Sequence, residues 1–136
     1  MSLYQWLWRR RRAKVRSLGT RGEQAAERFL RRKGYRIVAR NYRIHRGEID
    51  VVALWRRTIV FVEVKTRRSL RYGHPAEAVD ERKQAQLTRL AHAFLKKHDL
   101  QGYPIRFDIV TVLWPLGARR PHIEHFRDAF SAVGDD

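Results

Sequence analysis

Two acids and an amine, Asp50, Glu63 and Lys65, stand with 12 residues between the acids and one residue between Glu63 and Lys65. Glu63 and Lys65 close the run Thr58-Ile59-Val60-Phe61-Val62-Glu63-Val64-Lys65-Thr66. That run is rich in β-branched residues and reads as a strand. Side chains alternate by twos, so Val60, Val62 and Val64 share one face, and Ile59, Phe61, Glu63 and Lys65 the other. Both faces are apolar for most of the length, as in a strand buried at the centre of a sheet. An acid and an amine emerging from such a strand are costly unless they are paired or used.

The preceding strand supplies the partner. It begins Gly47-Glu48-Ile49-Asp50 and turns apolar through Leu54, and Trp55-Arg56-Arg57 can reverse the chain. Counting outward from a turn at residue 56 or 57 sets Asp50 opposite residues 62 to 64. Asp50 and Glu63 are then cross-strand neighbours, about 5 Å apart at Cβ if directly opposed. Two carboxylates that close repel unless a cation lies between them. A hard divalent ion such as Mg²⁺ takes oxygen ligands of this kind. Lys65, on the Glu63 face, would meet charge building on phosphorus or orient an attacking water. Glu23 lies three residues before Ala26 and seven before Leu30, on or beside the buried side of the first helix. Lys83 lies between Val79 and Leu87 at spacing four on the second. Packed on the sheet, either can reach the acids; either can equally be a helix-end charge.

The elements that must position these groups follow from periodicity. Thr20 to Gly34 reads as a helix on Ala26, Phe29 and Leu30, and Gly34 stops it. Strands follow over Tyr35 to Tyr42, Ile49 to Leu54 and Thr58 to Thr66, the last two as a hairpin. Leu70 to Pro75 is a loop. Asp80 to His98 is the second helix, with Leu87, Leu90, Ala91, Phe94 and Leu95 on one side. Pro104 to Trp114 is a strand, and a short edge strand over His122 to Phe126 would close the series. The order αβββαβ makes an α/β fold, a mixed sheet flanked by helices.

Composition narrows the partner. Of 136 residues, 30 are Lys or Arg and 14 are Asp or Glu, a net charge of +16. With 43% hydrophobic residues the chain can still pack a core, so the charge belongs to a folded domain and points to a polyanion, most often nucleic acid. Cysteine is absent, which excludes disulfides, thiolate metal sites and a cysteine nucleophile. No stretch approaches the roughly 20 apolar residues of a membrane span, and the N-terminus lacks the apolar run of a secretory signal. Cytoplasmic location and no stable membrane insertion are the expectations. Residues 1–18 form a separate Trp/Arg-rich arm carrying Arg9, Arg10, Arg11 and Arg12, and 19–136 form one α/β domain. The arm is a solvated basic tail, a phosphate-contacting segment with stacking aromatics, or a surface helix anchored on a membrane by Trp6 and Trp8.

Several motifs together resemble the YraN family of small bacterial proteins: Gly22-Glu23, Lys33-Gly34-Tyr35, Asn41-Tyr42-Arg43, Gly47-Glu48-Ile49-Asp50, Phe61 through Arg67, and Arg106-Phe107-Asp108. The resemblance covers about residues 19 to 114. It implies a restriction-endonuclease-like core of the PD-(D/E)XK class, similar to the archaeal Holliday-junction resolvases. On that resemblance Asp50, Glu63 and Lys65 match the core motif and Glu23 matches the helix glutamate of the resolvase-like members. Ile49 stands where the motif's name has proline. The implied metal set is Asp50, Glu63, the Val64 backbone carbonyl and Glu23, holding Mg²⁺ or Mn²⁺. The implied partner is nucleic acid, DNA ahead of RNA.

The expected function is metal-dependent hydrolysis of phosphodiester bonds in DNA, branched or structured DNA included. The alternative is a binding module on the same fold without catalysis. A third reading is a membrane or protein adaptor anchored through the arm. Arg43, Arg67, Arg68, Arg71 and Lys83 would hold the phosphate backbone. Cutting both strands would call for a homodimer. His122 and His125 have two residues between them, which fits a strand edge better than a metal pair. Asp108 reads as a strand-face charge, and Phe107 and Trp114 as core.

Overall fold

The computed structural model describes residues 17–71 and 73–133. Arg9, Arg10, Arg11 and Arg12, with Trp6 and Trp8, lie outside them. The order is α1 (Leu18–Arg32), β1 (Arg36–Ile44), β2 (Gly47–Trp55), β3 (Thr58–Arg67), a 3-10 turn at Pro75–Ala78, α2 (Glu81–Lys97), β4 (Ile105–Leu113) and β5 (His122–Phe130). Five strands form one sheet in the order β1-β2-β3-β4-β5. β3 and β4 are parallel, joined by the α2 crossover, and the other pairs are antiparallel. This mixed sheet with flanking helices is an α/β fold consistent with a restriction-endonuclease-like core.

Local chemistry sets the helix ends. The Ser17 hydroxyl accepts from the Thr20 N–H and starts α1 two residues before the expected Thr20. Arg31 and Arg32 occupy its last turn, and Gly34 leaves it at φ +93. Asp80 caps α2 by accepting from the Lys83 N–H, and Lys96 and Lys97 close it.

Each helix covers one face. α1 buries Ala25, Ala26 and Leu30 against Val51, Val60, Val62, Val64, Val110 and Val112. α2 buries Leu87, Leu90, Ala91 and Phe94 against Val52, Ile59, Phe61 and Phe107. β3 is therefore covered on both sides, as its unbroken apolar run requires, and each buried Val or Phe contributes about 1.5–3 kcal/mol. Phe107 and Trp114 are core residues, as expected.

Two expectations need correction. β5 runs to Phe130, four residues beyond the expected short strand, because its outward pattern is too polar to signal a strand while β4 still offers it a ladder. Asp108 is no surface charge: at 1% exposure it accepts from Arg106, from the backbone N–H of Asp128 and from buried His125. Its negative charge is satisfied inside the protein. His125 is thereby committed to Asp108 at 2.7 Å, while His122 is exposed and pairs with Glu124.

Candidate active site

The β2–β3 turn fixes the geometry. Trp55 pairs with Thr58 and the register runs unbroken to Val51 opposite Val62. The ladder ends there, and Asp50 and Glu63 are the next residues on the two strands. The Asp50 carboxylate accepts from the Val64 N–H at 2.9 Å, and its charge acts on the neighbouring Glu63 carboxyl.

β2 does not alternate regularly here. Val51 and Ala53 face α1 and Val52 faces α2, yet Ile49 packs on the α2 side. The alternation breaks at Asp50, between the β1–β2 pairs Arg40–Val51 and Tyr42–Ile49. Asn41, on β1 between those pairs, has φ +49. The break turns Asp50 toward the α1 side as well, where carboxylate oxygens of Glu23, Glu48 and Asp50 lie within 4.8 Å of one another. Glu23 stands in the second turn of α1, whose first turn carries no acid, so helix-end charge does not explain it.

Glu48 was missed by sequence reasoning. The available signal was the spacing of two from Asp50. Four of the chain's 14 acids thus meet at one end of the sheet, in a molecule with more than twice as many basic residues.

Lysines approach from both sides of Glu63. Lys65 Nζ is 3.6 Å from its Oε1 and Lys83 Nζ is 3.9 Å from its Oε2. Glu63 is only 5% exposed. Burial first, and then the Asp50 charge, push its carboxyl up to about 7, against the pull of Lys83 and Lys65. Burial also raises Asp50, and the Val64 N–H offsets part of that rise. Glu63 Oε2 is buried without a hydrogen-bond partner among the described residues, because the Lys83 ammonium stops short of it.

These residues fit a hard divalent cation. Glu23, Glu48 and Asp50 bring carboxylate oxygens together, the desolvated carboxyls of Asp50 and Glu63 repel each other, and a buried Glu63 oxygen is left to accept a positive partner.

The remaining expected residues lie at the rim. Arg43 pairs with Glu48 across β1 and β2 at 3.4 Å. Arg67 and Arg68, at the end of β3 and just beyond it, are exposed; their guanidiniums reach the carbonyls of Thr66 and Trp114. Arg71 is exposed in the following loop. His74 caps the Pro75–Ala78 turn and lies 3.4 Å from Glu124.

The profile of Uncharacterised protein family UPF0102, the YraN family, matches residues 22–112, which include all of these acids and lysines. The chain belongs to the UPF0102 family. A UPF0102 protein of Rhodopirellula baltica is 52% identical over 122 residues, covering 88% of this chain and 73% of its own length. One from Chlorobaculum tepidum is 48% identical over 122 residues, covering 87% of this chain and 94% of its own. One from Arthrobacter sp. is 51% identical over 110 residues, with 81% and 92% covered. Among the described residues, no helix is long and apolar enough to cross a membrane.

Proposed function

We propose that this UPF0102 chain is a divalent-cation-dependent phosphodiesterase acting on nucleic acid, DNA ahead of RNA. The observation that carries the reading is Glu63: a deeply buried carboxyl with one oxygen that accepts no hydrogen bond among the described residues, beside Asp50 and approached by two lysines. Asp50, Glu63, the Val64 carbonyl and Glu23 would hold Mg²⁺ or Mn²⁺, with Glu48 within reach. When bound, such an ion supplies positive charge against the anionic substrate. Lys65 then orients the attacking water and meets the charge that grows on phosphorus. Lys83, on the other side of Glu63, holds a non-bridging phosphate oxygen. Arg67, Arg68 and Arg71 carry the backbone away from the end of β3, and Arg43 flanks the cluster. One chain supplies one such cluster, so cutting both strands of a duplex takes two copies.

A cleavage panel at low salt tests this. Single-stranded, duplex, flapped and four-way-junction DNA, with RNA beside them, are incubated with Mg²⁺ or Mn²⁺. Lys65→Ala is purified identically. The wild type is expected to cut at least one of them, and Lys65→Ala to lose about 100-fold or more in rate, as when a group that stabilises transition-state charge is removed. Equal cleavage by both chains would overturn the assignment. Binding by both with cleavage by neither would favour the module without catalysis.

A further inference from the structure

The opposite end of the sheet carries its own constellation. Trp55 and the Arg56-Arg57 turn lie five residues along β2 from Asp50, about 17 Å in a strand. The Arg56 and Arg127 guanidinium carbons stand 4.4 and 4.5 Å from the Trp55 ring centroid, and that of Arg106 5.2 Å. Tyr35 stacks on the same indole at 5.9 Å. Arg106 is neutralised by Asp108 and fixed by Tyr35, so it positions the indole.

Arg56, Arg57 and Arg127 are different. All three are exposed, and none forms an ion pair among the described residues. With 4.4 and 4.5 Å to one centroid, Arg56 and Arg127 are held within about 9 Å, close to a Debye length at physiological salt. An exposed cation–π contact returns only about 0.5–1 kcal/mol. Arg56 also sits at φ +55, a region that favours Gly or Asn over a long side chain. Repulsion and backbone strain are both tolerated at one turn, and an external anion would relieve the first.

We propose that Arg56 and Arg127, stacked on Trp55, and Arg57 of the same turn form a second site for the phosphodiester backbone of nucleic acid, remote from the acid cluster and independent of divalent cation. It stands whether or not the acid cluster is catalytic. Among the described residues the exposed large apolar ones are Leu70, Tyr103, Leu116 and Val133, and of these Tyr103 alone is set beside this turn by the β3–β4 register, two residues before Ile105, the partner of Ile59. A membrane surface would call for a cluster of such groups beside the charges, and a single tyrosine is no cluster, so the patch suits a phosphodiester rather than lipid. The guanidiniums cover the indole, so recognition is of the backbone and not of bases.

The test is fluorescence anisotropy with a labelled duplex in EDTA over a salt series. Arg56→Asn/Arg127→Gln is compared with wild type, Asn being tolerated at positive φ. About tenfold weaker binding at low salt is expected. The slope of log affinity against log salt should fall by about 2, near 0.9 for each phosphate that is no longer neutralised. Arg57→Gln, which changes only an exposed turn side chain, should lower that slope by about 1 and covers the case in which the double variant folds poorly. The same differences should persist in a Lys65→Ala background, which separates this site from the proposed chemistry. Wild-type affinity and slope in both variants would overturn the proposal. So would loss of binding to anionic phosphatidylserine vesicles with DNA binding unchanged.

Discussion

Glu63 carries a protonation cost that can be measured without any substrate. Its carboxyl titrates near 7 in the fold, through burial and the neighbouring Asp50, against an ordinary 4.5. The folded state therefore holds a proton that the unfolded chain releases between about 4.5 and 7. Stability associated with this group is complete below the unfolded value and is lost as pH rises through the folded one. Glutamine keeps the protonated shape, but it cannot ionise. Glu63→Gln should be more stable than wild type at pH 8, by on the order of 3 kcal/mol at full ionisation. The gap should close as pH approaches 4.5. Thermal melts in EDTA at pH 5, 6, 7 and 8 check this, and parallel curves for the two chains would refute it. Mn²⁺ should raise the wild-type midpoint at pH 8 more than at pH 6, because protons compete for the same oxygens, and should do less for the variant. Counting outward from the turn was enough to predict that Asp50 lies beside the end of β3, where it accepts from the Val64 N–H. The carboxyl's burial and its orphan oxygen were not predictable that way, since both depend on how α2 lies over the end of β3.

At the level of elements, the position of Glu23 depends on the close approach of α1 to β3. Gly22 is buried, and a Cβ there would lie 2.0 Å from Thr66 Oγ1 and 2.8 Å from its Cγ2. Atoms cannot coexist at those separations, so Gly22→Ala must move the helix or the end of β3. A loss of about 1–3 kcal/mol is expected, as for overpacking in a core. Thr66→Ala in the same chain should restore part of it, because Oγ1 and Cγ2 are removed while Cβ, 2.9 Å away, remains. Denaturant midpoints of the four chains give the coupling directly, and additive losses would rule out the contact as the cause.

Helix and strand periods lie in local sequence, and so were predictable: Ala26 with Leu30 and the alternation from Thr58 to Val64 set both faces of the sheet. The break at Asp50 was not, because it is shared between β2 and a positive φ at Asn41 on the neighbouring strand. Asp108 was misread for a related reason. Its partners Arg106, His125 and the Asp128 N–H come from β4 and β5, and alternation within β4 alone cannot show a buried network.

Across the whole molecule, charge is divided by sign as well as by amount. The chain carries +16, yet Glu23, Glu48, Asp50 and Glu63 gather where the proposed substrate would have to approach. Without a divalent cation, that cluster repels phosphate while the surrounding arginines attract it. DNA affinity in EDTA is then a balance that one substitution can tip. Asp50→Asn keeps an oxygen to accept from the Val64 N–H and removes a charge, so it should bind DNA severalfold more tightly than wild type in EDTA. Added Ca²⁺, which takes oxygen ligands, should raise wild-type affinity toward that of the variant. The variant itself should gain little, since its acid set is incomplete. Anisotropy on one duplex, at fixed ionic strength, reads all four conditions. If Ca²⁺ strengthens both chains alike, the ion is acting on the DNA and not in the cluster. If Asp50→Asn binds no better than wild type in EDTA, the cluster does not face the nucleic acid at all.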